Sequence, residues 1–229
     1  MSNQPPTVNL DVPYIHQLLN TPDNFNGQLA AGPTAMVMVL AAYGKLTPRS
    51  DIYHNQPSPF GYYISNSYVG PTDFSFSETQ LGPQDQVSFA GAYGACLNRG
   101  QAFGSLMANY AINHGLNAQS QIAHRLAVEA ELNYGAPVVL ATTLKGFGHI
   151  VVVKGYLPDG RLIVNDPFWG KPEMGVILYS WPEFGLTPFM VTFESPLPKP
   201  EPERITNGLS SELKQSNPIP ELEPPESLN

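Results

Sequence analysis

The stretch "GHIVVVKGYLPDGRLIVND", residues 148–166, constrains the fold more than any other part of the chain. Two β-branched runs flank Pro-Asp-Gly, a turn signature that folds neighbouring strands into a hairpin. Similar runs follow the same code: "APVVLATTL" (136–144), "GVILYSW" (175–181) and "PFMVTF" (188–193). The second half of the chain therefore reads as an antiparallel sheet.

The first half carries helical patterns. "AGPTAMVMVLAAYG" (31–44) is apolar nearly all round, which predicts a central buried helix. Pro33 suits its first helical position, where a missing N–H costs nothing, and Gly44 suits its end. "QAFGSLMANYAINHGL" (101–116) sets Phe103, Leu106, Met107, Tyr110 and Ala111 on one stripe, with Gly115 as the stop. "SQIAHRLAVEAELNYG" (120–135) predicts another helix, capped by Ser120, marked by Ile122, Leu126 and Leu132, and ended by Gly135. "LDVPYIHQ" (10–17) reads as a strand-like segment running into a loop. This order predicts an α+β fold, with helices packed against one side of the sheet.

One domain is expected over residues 9–194, after a flexible N-terminus at 1–8. Residues 45–90 show no sustained period and are rich in Pro, Gly, Ser and aromatics. They read as a substrate-side flap or as an insertion packed by its own tyrosines, Tyr62, Tyr63 and Tyr68 among them. From Ser195 onward the sequence is Pro- and Glu-rich with no aromatic residue, so 195–229 is expected to be a disordered tail.

Charge narrows the function. The 229 residues carry a net charge of −8 with only 13% charged residues, and no Lys/Arg cluster exists for phosphate contacts. Nucleic acid and anionic membrane surfaces are not expected partners. No apolar run approaches the roughly 20 residues of a spanning helix, and no signal peptide is expected. A cytoplasmic location is the default, although a chain trimmed of its signal would look the same. Nothing in the sequence fixes the oligomeric state.

The single cysteine, Cys96, permits no intrachain disulfide and no thiolate cluster, and reads as a small buried residue. His16, His54, His114 and His124 are scattered, so no metal site is expected; nor is a cofactor.

Three features stand apart from core-building. Gln17 follows the strand-like "VPYIH". Ala31–Gly32–Pro33–Thr34 opens the buried helix. His149 opens one strand of the hairpin while Asp166 closes the other, a spacing that lets a carboxylate meet an imidazole and fix its tautomer. Alone, His149 would read as an ordinary strand residue, and Asp166 before Pro167 as a turn residue.

Taken in order, "VPYIHQ" (12–17), "AGPTAMVMVLAAYG" (31–44), "GAPVVLAT" (135–142), "GHIVVVKGY" (148–156) and "LIVNDPFWG" (162–170) resemble the C39-like peptidases of the papain-like cysteine protease superfamily. In that family the buried helix opens with Cys-Gly-Pro-Thr, and the cysteine is the nucleophile. The resemblance places the nucleophile on Ala31, the general base on His149, the orienting carboxylate on Asp166 and the oxyanion-hole amide on Gln17, with Gln28 as rival donor. Gly32, Gly148 and Trp169 become the expected substrate-binding positions, and a peptide or protein the expected substrate. The resemblance implies a papain-like α+β fold and a thiol peptidase or amidohydrolase, here without its thiol. The alanine is either a substitution that disables the enzyme while keeping its site, which the otherwise complete motif set favours, or the mark of a natural pseudopeptidase that binds peptides or regulates.

Overall fold

The strands of 138–142, 149–156, 162–165, 176–179 and 190–193 form in the β-branched runs, and the first four of them pair consecutively, while the last crosses over to lie between 138–142 and 118–121. The computed structural model describes residues 8–70, 91–169 and 176–199. Residues 1–7, 71–90 of the irregular stretch, 170–175 and the tail beyond 199 lie outside the described residues. The chain divides into two units, Met1–Pro198 and Lys199–Asn229, and the first carries the elements described below.

Along the chain the strands are β1 (Val8–Asn9), β2 (Ile52–Tyr53), β3 (Gln56–Pro57), β4 (Leu97–Asn98), β5 (Gln101–Ala102), β6 (Ala118–Gln121), β7 (Val138–Thr142), β8 (His149–Tyr156), β9 (Leu162–Asn165), β10 (Val176–Tyr179) and β11 (Met190–Phe193). The helices are α1 (Ala31–Ala42), α2 (Tyr62–Ser65), α3 (Ala92–Cys96), α4 (Gly104–Asn113) and α5 (Arg125–Tyr134). The main sheet runs β10-β9-β8-β7-β11-β6, with β1 pairing β8. Its described pairings are antiparallel, as the hairpin signal requires.

Alternation along the central strands explains the layers. Val139, Ala141, Ile150 and Val152 pack with α1, α3 and α4 in one core. Val138, Leu140, Val151 and Val153 pack in a second core with Val128 and Leu132 of α5 and with Phe184. The expectation of helices on one side only is therefore corrected: the sheet is buried on both faces. Strands apolar at every position need cover on both sides. Full burial of each such side chain contributes about 1.5–3 kcal/mol.

Helix α1 lies between sheet and helices and is buried continuously from Gly32 to Leu40. Gly44 ends it with φ +65°, where Gly44 N–H and Lys45 N–H reach back to the carbonyls of Ala41 and Leu40.

Other expectations also shift. The helix expected over 120–135 begins at Arg125, because residues 118–121 pair with β11 and leave the helix pattern. His124, not Ser120, caps it through Nδ1, which accepts from the Ala127 N–H at 3.2 Å. Ile122 and Leu126 are 80% and 74% exposed, so Val128 and Leu132 are its core positions. In α4 the buried stripe holds Met107, Tyr110 and Ala111, while Phe103 stays exposed ahead of the helix. Within 10–17 no strand forms; β1 ends at Asn9, and one further bond runs from Leu10 N–H to the Lys154 carbonyl.

The packed chain also runs past the boundary expected at 194. Tyr43 Oη donates to the Ser195 carbonyl at 2.6 Å, and Leu197 N–H donates to the Gly135 carbonyl at 2.9 Å. Leu197 adds its side chain to the α1 core. In the described part of 45–90, Tyr63 meets Tyr62 and Tyr68 edge to face, and the Arg49 guanidinium covers Tyr62 at 3.9 Å.

The second core makes a testable distinction. Leu132→Ala should cost about 2–5 kcal/mol in urea unfolding, whereas Leu126→Ala should stay within about 0.5 kcal/mol. Comparable losses at both positions would contradict this placement of α5.

Candidate active site

A cavity of about 700 Å³ opens where the start of α1 meets the start of β8. Gln17, Ala31, Gly32, Gly148, His149 and Trp169 all line it. Six of the seven positions expected from sequence thus share one cleft, and the seventh, Asp166, stands behind His149.

Close packing brings Ala31 there. A Cβ on Gly32 would lie 2.9 Å from Ala102 Cβ and 3.1 Å from both Ile150 Cδ1 and Met107 Sδ. A side chain at this position would push the helix start away from β8. Gly148 has open space where its Cβ would be, so it widens the cleft instead of permitting a contact. At α1 the residue ahead, Ala30, offers no capping side chain. Pro33 has no N–H, and Thr34 N–H is taken by the Ala30 carbonyl.

His149 opens β8 opposite Thr142 of β7, and Thr142 Oγ1 donates to the His149 carbonyl at 3.2 Å. Its Nε2 lies 2.7 Å from Asp166 Oδ1, and the two side chains are only 6% and 0% exposed. An ionised Asp166 accepts from Nε2–H, which leaves Nδ1 as the ring nitrogen without a hydrogen bond among the described residues.

Asp166 is held from every side. Phe168 N–H and Trp169 N–H donate to Oδ1 at 3.0 and 3.1 Å, and Tyr179 Oη of β10 donates to Oδ2 at 3.1 Å. Burial by itself would push this carboxyl up. The bond and charge of His149, with the two backbone N–H groups, outweigh burial and hold Asp166 below the ordinary carboxylate value. Burial and the Asp166 charge together push the Tyr179 phenol up, so it stays a donor. His16 is pushed down by burial, against the Asp166 charge and a bond with the Phe168 backbone. Its Nδ1 accepts from Leu18 and Leu19 N–H, which makes it a loop anchor.

Gln17 is arranged differently from the expectation. Its Nε2 donates to the carbonyls of Gly27 at 2.7 Å and Gln28 at 3.0 Å, so both amide hydrogens are spent. Its Oε1 is buried and has no hydrogen-bond partner among the described residues. Gly27 makes this approach possible, since a Cβ there would fall 2.0 Å from the Gln17 carbonyl oxygen. Gln28 lines the cleft with an exposed side chain.

Aromatic groups build the far wall. The Trp169 ring stands edge-on to His149 with centroids 4.8 Å apart, and Lys145 Nζ lies 4.5 Å from the Trp169 ring centre. Exposed Phe147 and Leu29 form an apolar rim. Sequence reasoning missed Tyr179, Lys145 and this rim, and no local motif marks them. Cys96, at the end of α3, is fully buried outside the cleft lining, and burial pushes its thiol up. Among the described residues no three His, Cys, Asp or Glu side chains converge as a metal site. Nor, among them, is any helix long and apolar enough to cross a membrane.

The lowered Asp166 value has a definite sign in stability. A depressed folded-state value stabilises the fold above the unfolded value, about 4, and that stabilisation is lost as pH falls through the folded value. Asp166→Asn should therefore lower the unfolding free energy at neutral pH, and its deficit should shrink below about pH 4. Denaturant titrations at both pH values check this; an unchanged deficit would refute a charged, paired Asp166.

A model of the Peptidase_C39 like family matches residues 9–185. No curated protein matches the chain. Among solved structures it is similar to a double glycine motif protease from an AMS/PCAT transporter, solved in complex with the leader peptide. Identity there is 19%, over 82% of this chain and 96% of that one, with a TM-score of 0.47. It is also similar to the peptidase domain of Streptococcus ComA, a bi-functional ABC transporter involved in a quorum sensing pathway. There the identity is 17%, the coverage 79% of this chain and 99% of that one, and the TM-score 0.44. The family match spans well over half of the chain, and the chain therefore belongs to the Peptidase_C39 like family, with a papain-like α+β fold.

Proposed function

We propose that this chain is a cysteine-peptidase scaffold that holds a peptide segment in its cleft without cleaving it. The observation that carries this reading is the His149–Asp166 pair, bonded at 2.7 Å, whose imidazole lines one cleft with a methyl group at position 31. The apolar rim of Phe147 and Leu29 and the Trp169 wall suit apolar side chains of a peptide.

With a cysteine at position 31, the same groups would perform acyl transfer. The start of α1 would stabilise a thiolate, helped by a protonated His149. The thiolate would attack the peptide carbonyl, and His149 would hand its proton to the leaving amine. Asp166 would keep the imidazole in its working tautomer. The backbone N–H of residue 31 would face the oxyanion. Gln17 would join it by releasing the carbonyls of Gly27 and Gln28; Gln28, already on the cleft, would serve without that rearrangement. Water would then release the acyl group. This chemistry calls for no cofactor. Alanine removes the attacking atom and leaves the rest.

Ala31→Cys tests the arrangement directly. Brief treatment with iodoacetamide at mildly acidic pH, read by intact mass, should label the new thiol about tenfold faster than in Ala31→Cys/His149→Ala. The parent chain, with Cys96 alone, should stay unlabelled. Equal labelling rates in the single and the double variant would show that no thiolate–imidazole pair assembles.

A further inference from the structure

The cleft is unusual for so acidic a chain. The protein carries 19 Asp and Glu against 11 Lys and Arg, yet no Asp or Glu stands among the described residues that line the cleft. The features that do face it favour negative charge. Helix α1, twelve residues long, points its uncapped start at the cavity, with Ala31 and Gly32 in the lining. His149, whose side chain is 6% exposed, makes its bond to Asp166 through Nε2, and its Nδ1 makes no hydrogen bond among the described residues. Outside the lining, Lys145 sets an ammonium 4.5 Å from the ring centre of Trp169, itself packed against His149. The unpartnered Gln17 Oε1 is shut off from solvent, so it presents no opposing acceptor to a ligand.

In a working thiol peptidase the cysteine thiolate supplies the anion that this environment is built for. Here the methyl group of Ala31 supplies none. We infer that the cleft receives the C-terminal carboxylate of a peptide, seated between the start of α1 and His149. The carboxylate takes the place of the thiolate. His149 carries a proton on Nδ1 in the bound state, so Asp166, imidazolium and carboxylate restore the charge set of the enzyme. The bond to a charged group is short and strong in such a dry site. The peptide preceding the carboxylate runs along Trp169, Phe147 and Leu29. This assignment rests on the peptide-cleft reading above and adds the end of the chain that is recognised.

The test uses the full chain, immobilised, and a mixture of N-acetylated tetrapeptides of random sequence. Each is present as free acid and as C-terminal amide, and octanoate is added as a carboxylate without peptide bonds. Retained species are counted by mass spectrometry. Acids should be retained about tenfold over the matching amides, a difference of about 1.4 kcal/mol. The preference should vanish in His149→Ala. It should also vanish in Ala31→Asp, which sets a fixed carboxylate at the same spot and leaves the dyad in place. Equal retention of acids and amides by the parent chain would overturn the carboxylate assignment and leave the peptide cleft standing. Retention of neither would overturn both. A preference that survives both substitutions would place the carboxylate elsewhere, and octanoate retained above the peptide acids would remove the peptide from the assignment.

Discussion

The buried carboxylate of Asp166 organises this protein. A fully buried carboxylate is costly unless paired and hydrogen-bonded. Asp166 meets that demand with His149, two backbone N–H groups and the Tyr179 hydroxyl. Those partners come from β8, from the turn after β9, and from β10. Strand register, turn geometry and imidazole orientation are therefore one problem with one solution. Residue 31 takes no part in it, so the pair assembles with an alanine there.

Helix α1 supplies the other half of the cleft. It is held by burial on all sides instead of by an amphipathic face, so its position is set by packing alone. Gly32 decides how near its first turn comes to Ile150 of β8. That approach puts the positive end of a helix in the same cleft as the imidazole. These two facts, together with the absence of Asp and Glu from its described lining, make the cleft favourable to negative charge.

Much of this was legible in the sequence because it is local. Pro-Asp-Gly between β-branched runs specifies the hairpin, and the hairpin brings His149 and Asp166 within reach of each other. Gly-Pro-Thr before an apolar run specifies the start of α1. What was not legible depends on partners far along the chain. Ser120 and Gln121 read as the start of a helix but are captured, with the two residues before them, by β11. Leu126 has the right spacing for a core residue and faces solvent, since the second core lies under Val128 and Leu132. The amide of Gln17 is drawn off by two carbonyls ten and eleven residues away. Tyr179 reaches Asp166 across a strand pair, and Ser195 to Leu197 are held by Tyr43 and Gly135. None of these contacts leaves a periodic trace.

The central claim is that the imidazole stands ready, held by Asp166, with Nδ1 turned to the cleft although no thiol is there. Long-range proton–nitrogen NMR of the histidine rings at alkaline pH, with His149 assigned through His149→Gln, tests it most directly. The account predicts a neutral ring protonated at Nε2, with a strongly downfield Nε2–H that disappears in Asp166→Asn. A ring protonated at Nδ1, or one averaging between tautomers, would contradict it.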